Sequence, residues 1–158
     1  MQETYNKQTD KTGDMIFEIE LKGNIETVWN LIATTKGFEQ WFPEISVGEP
    51  GVNGLILFDF GDGQYEESTI TAYEPPTLLQ YDWDKNTVRF ELTDQGDTTI
   101  LTFTESIVNL TTHTPRDIAG WHMCLQRIQG ILESREVSFT EDEFLALFDK
   151  YQALLFEK

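Results

Sequence analysis

Behind Pro115, the apolar residues Ile118, Trp121, Cys124 or Leu125, Ile128, Ile131 and Leu132 recur every three or four positions. That spacing describes one amphipathic helix of about five turns with a broad apolar face. Pro115 suits its start, where a missing N–H costs nothing. The stretch before it reads as strands. Asn53-Gly54 is a strong turn dipeptide, after which Ile56, Phe58 and Phe60 share one strand face. Gly61-Asp62-Gly63 turns the chain into a strand through Ile70 and Ala72 that Pro75-Pro76 ends. Leu79, Tyr81 and Trp83 share the next face, and Val88, Phe90 and Leu92 the one after. Gln95-Gly96-Asp97 makes a hairpin into Leu101 and Phe103. Turns this closely spaced suit an antiparallel meander rather than βαβ units. A meander followed by one long helix has few ways to bury both apolar faces, and the simplest lays the helix on the sheet.

The front of the chain adds to this frame. Residues 1–14 are polar and read as a flexible N-terminal arm. From Met15 the pattern alternates, with Met15, Phe17, Ile19 and Leu21 on one face and Glu18, Glu20 and Lys22 on the other, as in a half-buried antiparallel strand. Gly23 ends that strand and Asn24 is a credible N-cap for a helix carrying Ile25, Val28, Trp29 and Ile32, with Glu26 well placed in its first turn. Gly37 interrupts, and a second short helix carries Phe38, Trp41 and Phe42 until Pro43 stops it. At the far end Thr140-x-x-Glu143 is a capping-box signature, followed by Phe144, Leu147, Phe148, Tyr151 and Leu155 at helical spacing.

Composition narrows the partners. The 158 residues carry 28 acidic and 11 basic side chains, a formal charge of −17. Nucleic-acid binding needs a basic stripe to displace counterions from phosphate, so no nucleic acid is expected. Anionic membrane surfaces are disfavoured for the same reason, and the sequence contains no apolar run of roughly 20 residues that could span a bilayer. A solvated surface is the plain reading of the charge, with steering toward a basic partner as the other. Cys124 is the one cysteine, so there is no intramolecular disulfide and no zinc-thiolate cluster. The first thirteen residues lack the apolar core of a secretory signal. A reducing cytoplasm is the expected compartment.

Several stretches resemble a known family. These are Ile25-Glu26-Thr27-Val28-Trp29-Asn30-Leu31-Ile32, Trp41-Phe42-Pro43, Tyr73-Glu74-Pro75-Pro76 with Leu79-Gln80-Tyr81-Asp82-Trp83, Thr99-Ile100-Leu101-Thr102-Phe103-Thr104, and Gly120-Trp121-x-x-x-Leu125. In that order the chain resembles the Hsp90-ATPase-activator-like (AHSA1-like) family of the START/SRPBCC superfamily. The resemblance implies an α+β helix-grip fold, a curved antiparallel sheet wrapped around a long C-terminal helix with an elongated cavity between them. It places the helix-grip domain at 15–135 and says little about the last helix; residues 136–158 are read as an additional C-terminal helix packing on the same domain, because an isolated helix this short would be marginal. In the broader superfamily such cavities hold lipids, sterols, polyketides or plant hormones, and a minority of members do chemistry there. The eukaryotic namesakes bind a chaperone ATPase through extra regions that this short chain lacks, so a chaperone role transfers poorly.

Catalytic constellations are sparse. His113 and His122 are the only histidines. His122 and Cys124, two apart on a helix, do not face each other, and the histidines offer no pair of metal ligands on one face. Asp59-x-x-Asp62 opens like a calcium loop, but Ile70 stands at the twelfth position, where an acid is needed. No catalytic residue, metal or cofactor is expected. Glu66-Glu67 is the acidic pair to watch, because alternation sends one of the two toward the inside, where a carboxyl would have a raised pKa. Trp41, Phe58, Phe60, Tyr81, Trp83, Phe90, Phe103 and Trp121 either fill a core or line a cavity, and periodicity does not separate the two. With the resemblance, these aromatics together with Cys124 and Ile128 are the expected lining of a site for a small lipophilic or aromatic molecule. A protein-interaction module is the alternative, through the acidic surface or through a homodimer formed by the last helix. An enzyme acting on a hydrophobic substrate is a third, if Glu66 or Glu67 lies buried beside the pocket.

Overall fold

The computed structural model describes residues 1–157. Eight strands and four helices follow in the order β1 (Gln2–Lys7), β2 (Gly13–Lys22), α1 (Ile25–Ala33), α2 (Thr35–Trp41), β3 (Ile45–Glu49), β4 (Leu55–Asp59), β5 (Tyr65–Glu74), β6 (Leu78–Trp83), β7 (Asn86–Asp94), β8 (Thr98–Ile107), α3 (Thr114–Leu132) and α4 (Glu141–Phe156). The strands form one antiparallel sheet in the order β1-β2-β8-β7-β6-β5-β4-β3. Strands β3 to β8 are a plain meander, and the chain's first two strands complete the sheet beside β8. This is the helix-grip α+β fold, with α3 held by the sheet.

Alternation within the strands sets which face α3 meets. Met15, Phe17, Ile19 and Leu21 of β2 are buried, as are Val88, Phe90 and Leu92 of β7 and Leu101, Phe103 and Ile107 of β8. The register puts Phe17 opposite Phe103, and Phe103 opposite Phe90, so three rings cross the sheet in one row. Ile118, Trp121, Leu125 and Ile128 of α3 bury the opposing stripe. Full burial of each such side chain stabilises by about 1.5–3 kcal/mol. Register shifts in β3, between Val47 and Glu49, and in β5, between Ile70 and Ala72, mark bulges, which bend a strand and raise its local twist.

The caps follow the local sequence. Asn24 Oδ1 accepts from the Thr27 amide at 2.9 Å, Thr34 Oγ1 accepts from the Gly37 amide at 3.0 Å, and Thr140 and Glu143 make both bonds of a capping box. Gly37 differs from the sequence reading. It lies inside α2, not between helices, at a point where a Cβ would collide with the backbone carbonyls of Asn30 and Leu31. Its missing side chain lets α2 fold back onto α1, and the Trp41 indole N–H then donates to the Leu31 carbonyl at 2.8 Å.

Two further differences concern strands. Residues 1–14, expected as a flexible arm, supply β1, which pairs with β2 from Gln2 opposite Glu18 to Lys7 opposite Gly13. Its sequence is polar because it is an edge strand; Glu3 and Tyr5 share the half-buried face, the Tyr5 ring covering Gly13. Strand β3 was not foreseen either, because Ile45 is its only fully buried residue. Helix α4 packs against α3 and β1. Tyr151 and Leu155 are buried, and the Tyr151 ring meets Phe17 edge-on at 5.9 Å.

Candidate functional site

Between sheet and helix the interior is filled, not hollow. Phe90 lies 5.1 Å from Phe103, Phe103 4.7 Å from Trp121, and Trp121 5.0 Å from Trp83, ring centre to ring centre. Trp41 joins through Trp121 at 6.5 Å and Phe90 at 6.4 Å, and Tyr81 stacks on Phe90 at 6.1 Å. Offset and edge-on pairs at these distances gain beyond simple burial. The elongated cavity expected between sheet and helix is occupied by these side chains. Tyr81, Phe90, Phe103 and Ile128 are wholly buried, and Trp41 and Trp121 nearly so. The Tyr81 hydroxyl finds no protein partner, and burial pushes its pKa far above the ordinary value of 10.0.

Open space begins where that ring cluster ends. A cavity of about 450 Å³ lies between the β4–β5 hairpin, the β6–β7 turn and the start of α3. Its apolar wall is Phe58, Phe60 and Trp83, with Phe58 5.1 Å from Phe60 and 5.9 Å from Trp83. Its polar wall is Glu66, Ser68, Asp84 and Asn86, closed by His113 and Asp117. Phe60 stands at the tip of the hairpin and is 55% exposed. The tip is shaped by Asp59 Oδ1 accepting from the Gly61 amide at 2.8 Å and Asp62 Oδ1 accepting from the Gln64 amide at 3.0 Å, with both Gly61 and Gly63 at positive φ. On the other side of Trp83 a shallower cleft of about 230 Å³ touches Phe42, Trp121 and Cys124. Trp41 and Cys124 border a third cleft of about 370 Å³. A larger groove of about 840 Å³ runs between α1, α2 and the end of α3, away from the ring cluster. Its lining is threonine, asparagine, glutamine, Lys36, Gly37 and the aliphatic Leu31, Ile131 and Leu132, without an aromatic wall.

The expected site residues therefore divide. Phe58, Phe60 and Trp83 come together around one cavity. Trp41, Trp121 and Cys124 border smaller clefts, while Tyr81, Phe90, Phe103 and Ile128 border none of these spaces. Glu66 reaches the cavity wall and Glu67 does not, and both are exposed.

The buried carboxyl is Glu105. It is wholly buried on the inward face of β8, between Phe103 and Ile107. Glu105 Oε2 accepts from Asn86 Nδ2 at 2.8 Å, while Oε1 has no partner. Asn86 also accepts the Val108 amide on its Oδ1 at 3.0 Å, so this cavity residue holds both β8 and the chain after it. Burial pushes the Glu105 carboxyl up to about 7; the Asn86 bond pulls it down and the charge of Asp117 pushes it up. Asp117, in the first turn of α3, is also held above its ordinary value, chiefly by burial, against the pull of His113. His113 Nε2 lies 3.3 Å from Asp117 Oδ1.

Sequence reasoning passed over Glu105, Asn86, Asp84 and Asp117. Glu105 had a readable signal, since it takes an inward turn in the alternation Thr99, Leu101, Phe103, Glu105, Ile107. The others, the turn residue Asp84, the first residue of β7, Asn86, and the helix-start residue Asp117, are gathered only by tertiary folding. The histidine on α3 has a structural partner: His122 Nδ1 and the Tyr151 hydroxyl are 2.5 Å apart in the α3–α4 contact. Cys124 is a buried free thiol pushed up to about 11 by burial, a poor nucleophile.

A single helix-grip domain with an aromatic-walled cavity at one end is the class that fold and site define. The model of the family described as Activator of Hsp90 ATPase homolog 1-like protein matches residues 22–133. The chain belongs to that family. Among solved structures it is similar to the conserved protein of unknown function EF2215 from Enterococcus faecalis, at 30% identity and TM-score 0.89, covering 99% of this chain and 93% of that one. CalU16 from Micromonospora echinospora shares the fold at 16% identity and TM-score 0.77, over 98% of this chain and 97% of that one. The Aha1 dimer from Colwellia psychrerythraea does so at 22% identity and TM-score 0.66, over 76% of this chain and 96% of that one. The sequence matches none of the curated proteins. Among the described residues no helix is long and apolar enough to cross a membrane.

Proposed function

We propose that this protein binds a small lipophilic or aromatic molecule without transforming it, for carriage, sensing or sequestration. The observation that carries the reading is the wall of Phe58, Phe60 and Trp83 on a cavity of about 450 Å³. That volume falls in the range of small-molecule pockets. Trp83 is backed by Trp121 and the packed interior, so a ligand need not order that part of the wall. Phe60 is exposed enough to swing over a bound molecule. Binding without chemistry fits the groups at hand: Glu105 reaches the cavity only through Asn86, and the Cys124 thiol faces other clefts. Membership of a superfamily that commonly takes hydrophobic ligands supports the same reading.

Amide-resolved NMR against fatty acids, sterols and flat aromatic compounds tests it. Saturable shifts are expected at Phe58, Phe60 and Trp83, with one chemical class standing out. Trp83→Ala should weaken that ligand about tenfold, equivalent to roughly 1.4 kcal/mol. Silence from every class would reduce the rings to core filling and turn attention to a protein partner. That second reading has its own support in the likeness to the Aha1 dimer and in Leu145 and Phe156, which α4 leaves exposed.

A further inference from the structure

We propose that the ligand of this cavity carries a protonated amine, its aromatic part lying on Phe58, Phe60 and Trp83 and its ammonium group meeting Asp84 and Asp117. The proposal rests on the cavity reading above and adds a chemical class to it.

The cavity joins two kinds of wall. One is aromatic, and ring faces attract cations electrostatically. The other carries the carboxylates of Glu66, Asp84 and Asp117. No lysine or arginine lines it among the described residues. His113 is the sole lining base, and Asp117 already holds it at 3.3 Å. The nearby basic residues point elsewhere. Arg116 lies over the Phe144 ring at 5.3 Å, and Lys85, exposed between Asp84 and Asn86, is not part of the wall. The amino terminus of α3 would itself favour an anion, but Asp117 in its first turn answers that partial charge.

A second observation comes from behind the wall. Glu105 is wholly buried one hydrogen bond back, through Asn86, and keeps an unpartnered oxygen. Its carboxyl, pushed up to about 7, is only partly ionised at neutral pH and adds to the negative potential of the wall as pH rises above that. An anionic ligand would be repelled here, and a neutral one would leave the carboxylates unanswered. A metal ion is not the natural counter-charge, because no three acidic, histidine or cysteine side chains among the described residues converge to hold one. An organic cation needs no chelation, only an apolar wall and a nearby carboxylate. The net charge of −17 would steer it inward.

Calorimetric titration of the whole protein at neutral pH and low salt, with naphthylethylamine, naphthylethanol and naphthylacetate as probes, tests this. The three share a ring system and differ in charge. The amine should bind at least about tenfold tighter than the alcohol, and the carboxylate weakest of all. Asp84→Asn and Asp117→Asn should each weaken the amine by roughly five- to tenfold and leave the alcohol unchanged. Asp84 sits at φ 54, a conformation asparagine tolerates, so its variant keeps the turn. Equal binding of the three probes, or a preference for the carboxylate, would overturn the amine and leave the cavity reading intact. Binding of none would overturn both. An equal loss for amine and alcohol in the aspartate variants would show a role in shape and not in charge.

Discussion

Glu105 is an acid on a face otherwise made of Leu101, Phe103 and Ile107, and its position has a thermodynamic consequence. Its carboxyl rises from the ordinary 4.5 to about 7 on folding, so between those values the folded chain holds more protons than the unfolded one. Stability must then fall as pH rises through that window, by an amount that reaches roughly 3 kcal/mol above it. His122 acts in the opposite sense. Burial lowers its imidazole from 6.5 to about 4, so the unfolded chain takes up the extra proton and stability grows as pH rises from about 4 to 6.5. The two effects offset each other in wild-type protein and are separated by Glu105→Gln. The variant should gain stability over wild type at pH 8 and gain little at pH 5, read as melting temperature at each pH. A gap that does not change with pH would mean that Glu105 titrates near its ordinary value and is not the buried acid described. Seen from the sequence, the same residue marks a limit. Alternation predicts its inward direction, but the Asn86 partner that makes the position tolerable comes from another strand.

Helix α4 shows the same division at the level of an element. Its start was legible, because a capping box is a local contact between Thr140 and Glu143. Its destination was not. Packing of residues 136–158 on the same domain was the expectation, but the cavity mouth and a second subunit stood as alternatives, because an apolar stripe is blind to what covers it. In the structure Tyr151 and Leu155 are buried against the domain, Tyr151 meets His122 and Phe17, and Lys150 pairs with Glu3 of β1. Strand β1, a stretch that reads as a loose arm, thus lies between β2 and α4 and owes its order to both. Deleting residues from Val137 onward should cost about 3–6 kcal/mol from the loss of these two buried side chains. It should also loosen β1, as faster amide exchange over Gln2–Lys7 would show. An unchanged mass by light scattering is expected alongside the lower melting temperature. If instead a dimer dissolves and the melting temperature holds, α4 is a subunit contact.

For the molecule as a whole the excess of acid is the dominant long-range term. Self-repulsion among charges summing to −17 favours the unfolded chain, and salt screens it over a distance that shrinks from about 30 Å at 0.01 M to about 3 Å at 1 M. The melting temperature should therefore climb with sodium chloride across that range, and a flat or falling curve would mean that the charges are locally paired after all. Affinity for an amine should fall over the same range while that for an uncharged aromatic does not. The sequence by itself determined the strand faces of β2, β6, β7 and β8 and the starts of α1, α3 and α4, because period, turn residues and caps are contacts within a few positions of one another, and its motifs carried the resemblance to the family. Those same local rules assigned Phe90, Phe103 and Tyr81 to the inside without saying whether inside meant core or cavity. Only the tertiary structure decided that, since it depends on how many rings converge from β6, β7, β8, α2 and α3 onto one volume. They converge closely enough to fill it, and the aromatic-walled cavity lies at the end of the cluster, where Trp83 meets a hairpin, a turn and the first turn of α3. Glu66, Asp84, Asn86 and Asp117 are scattered along the chain, and no local pattern joins them. Folding alone brings them to one wall.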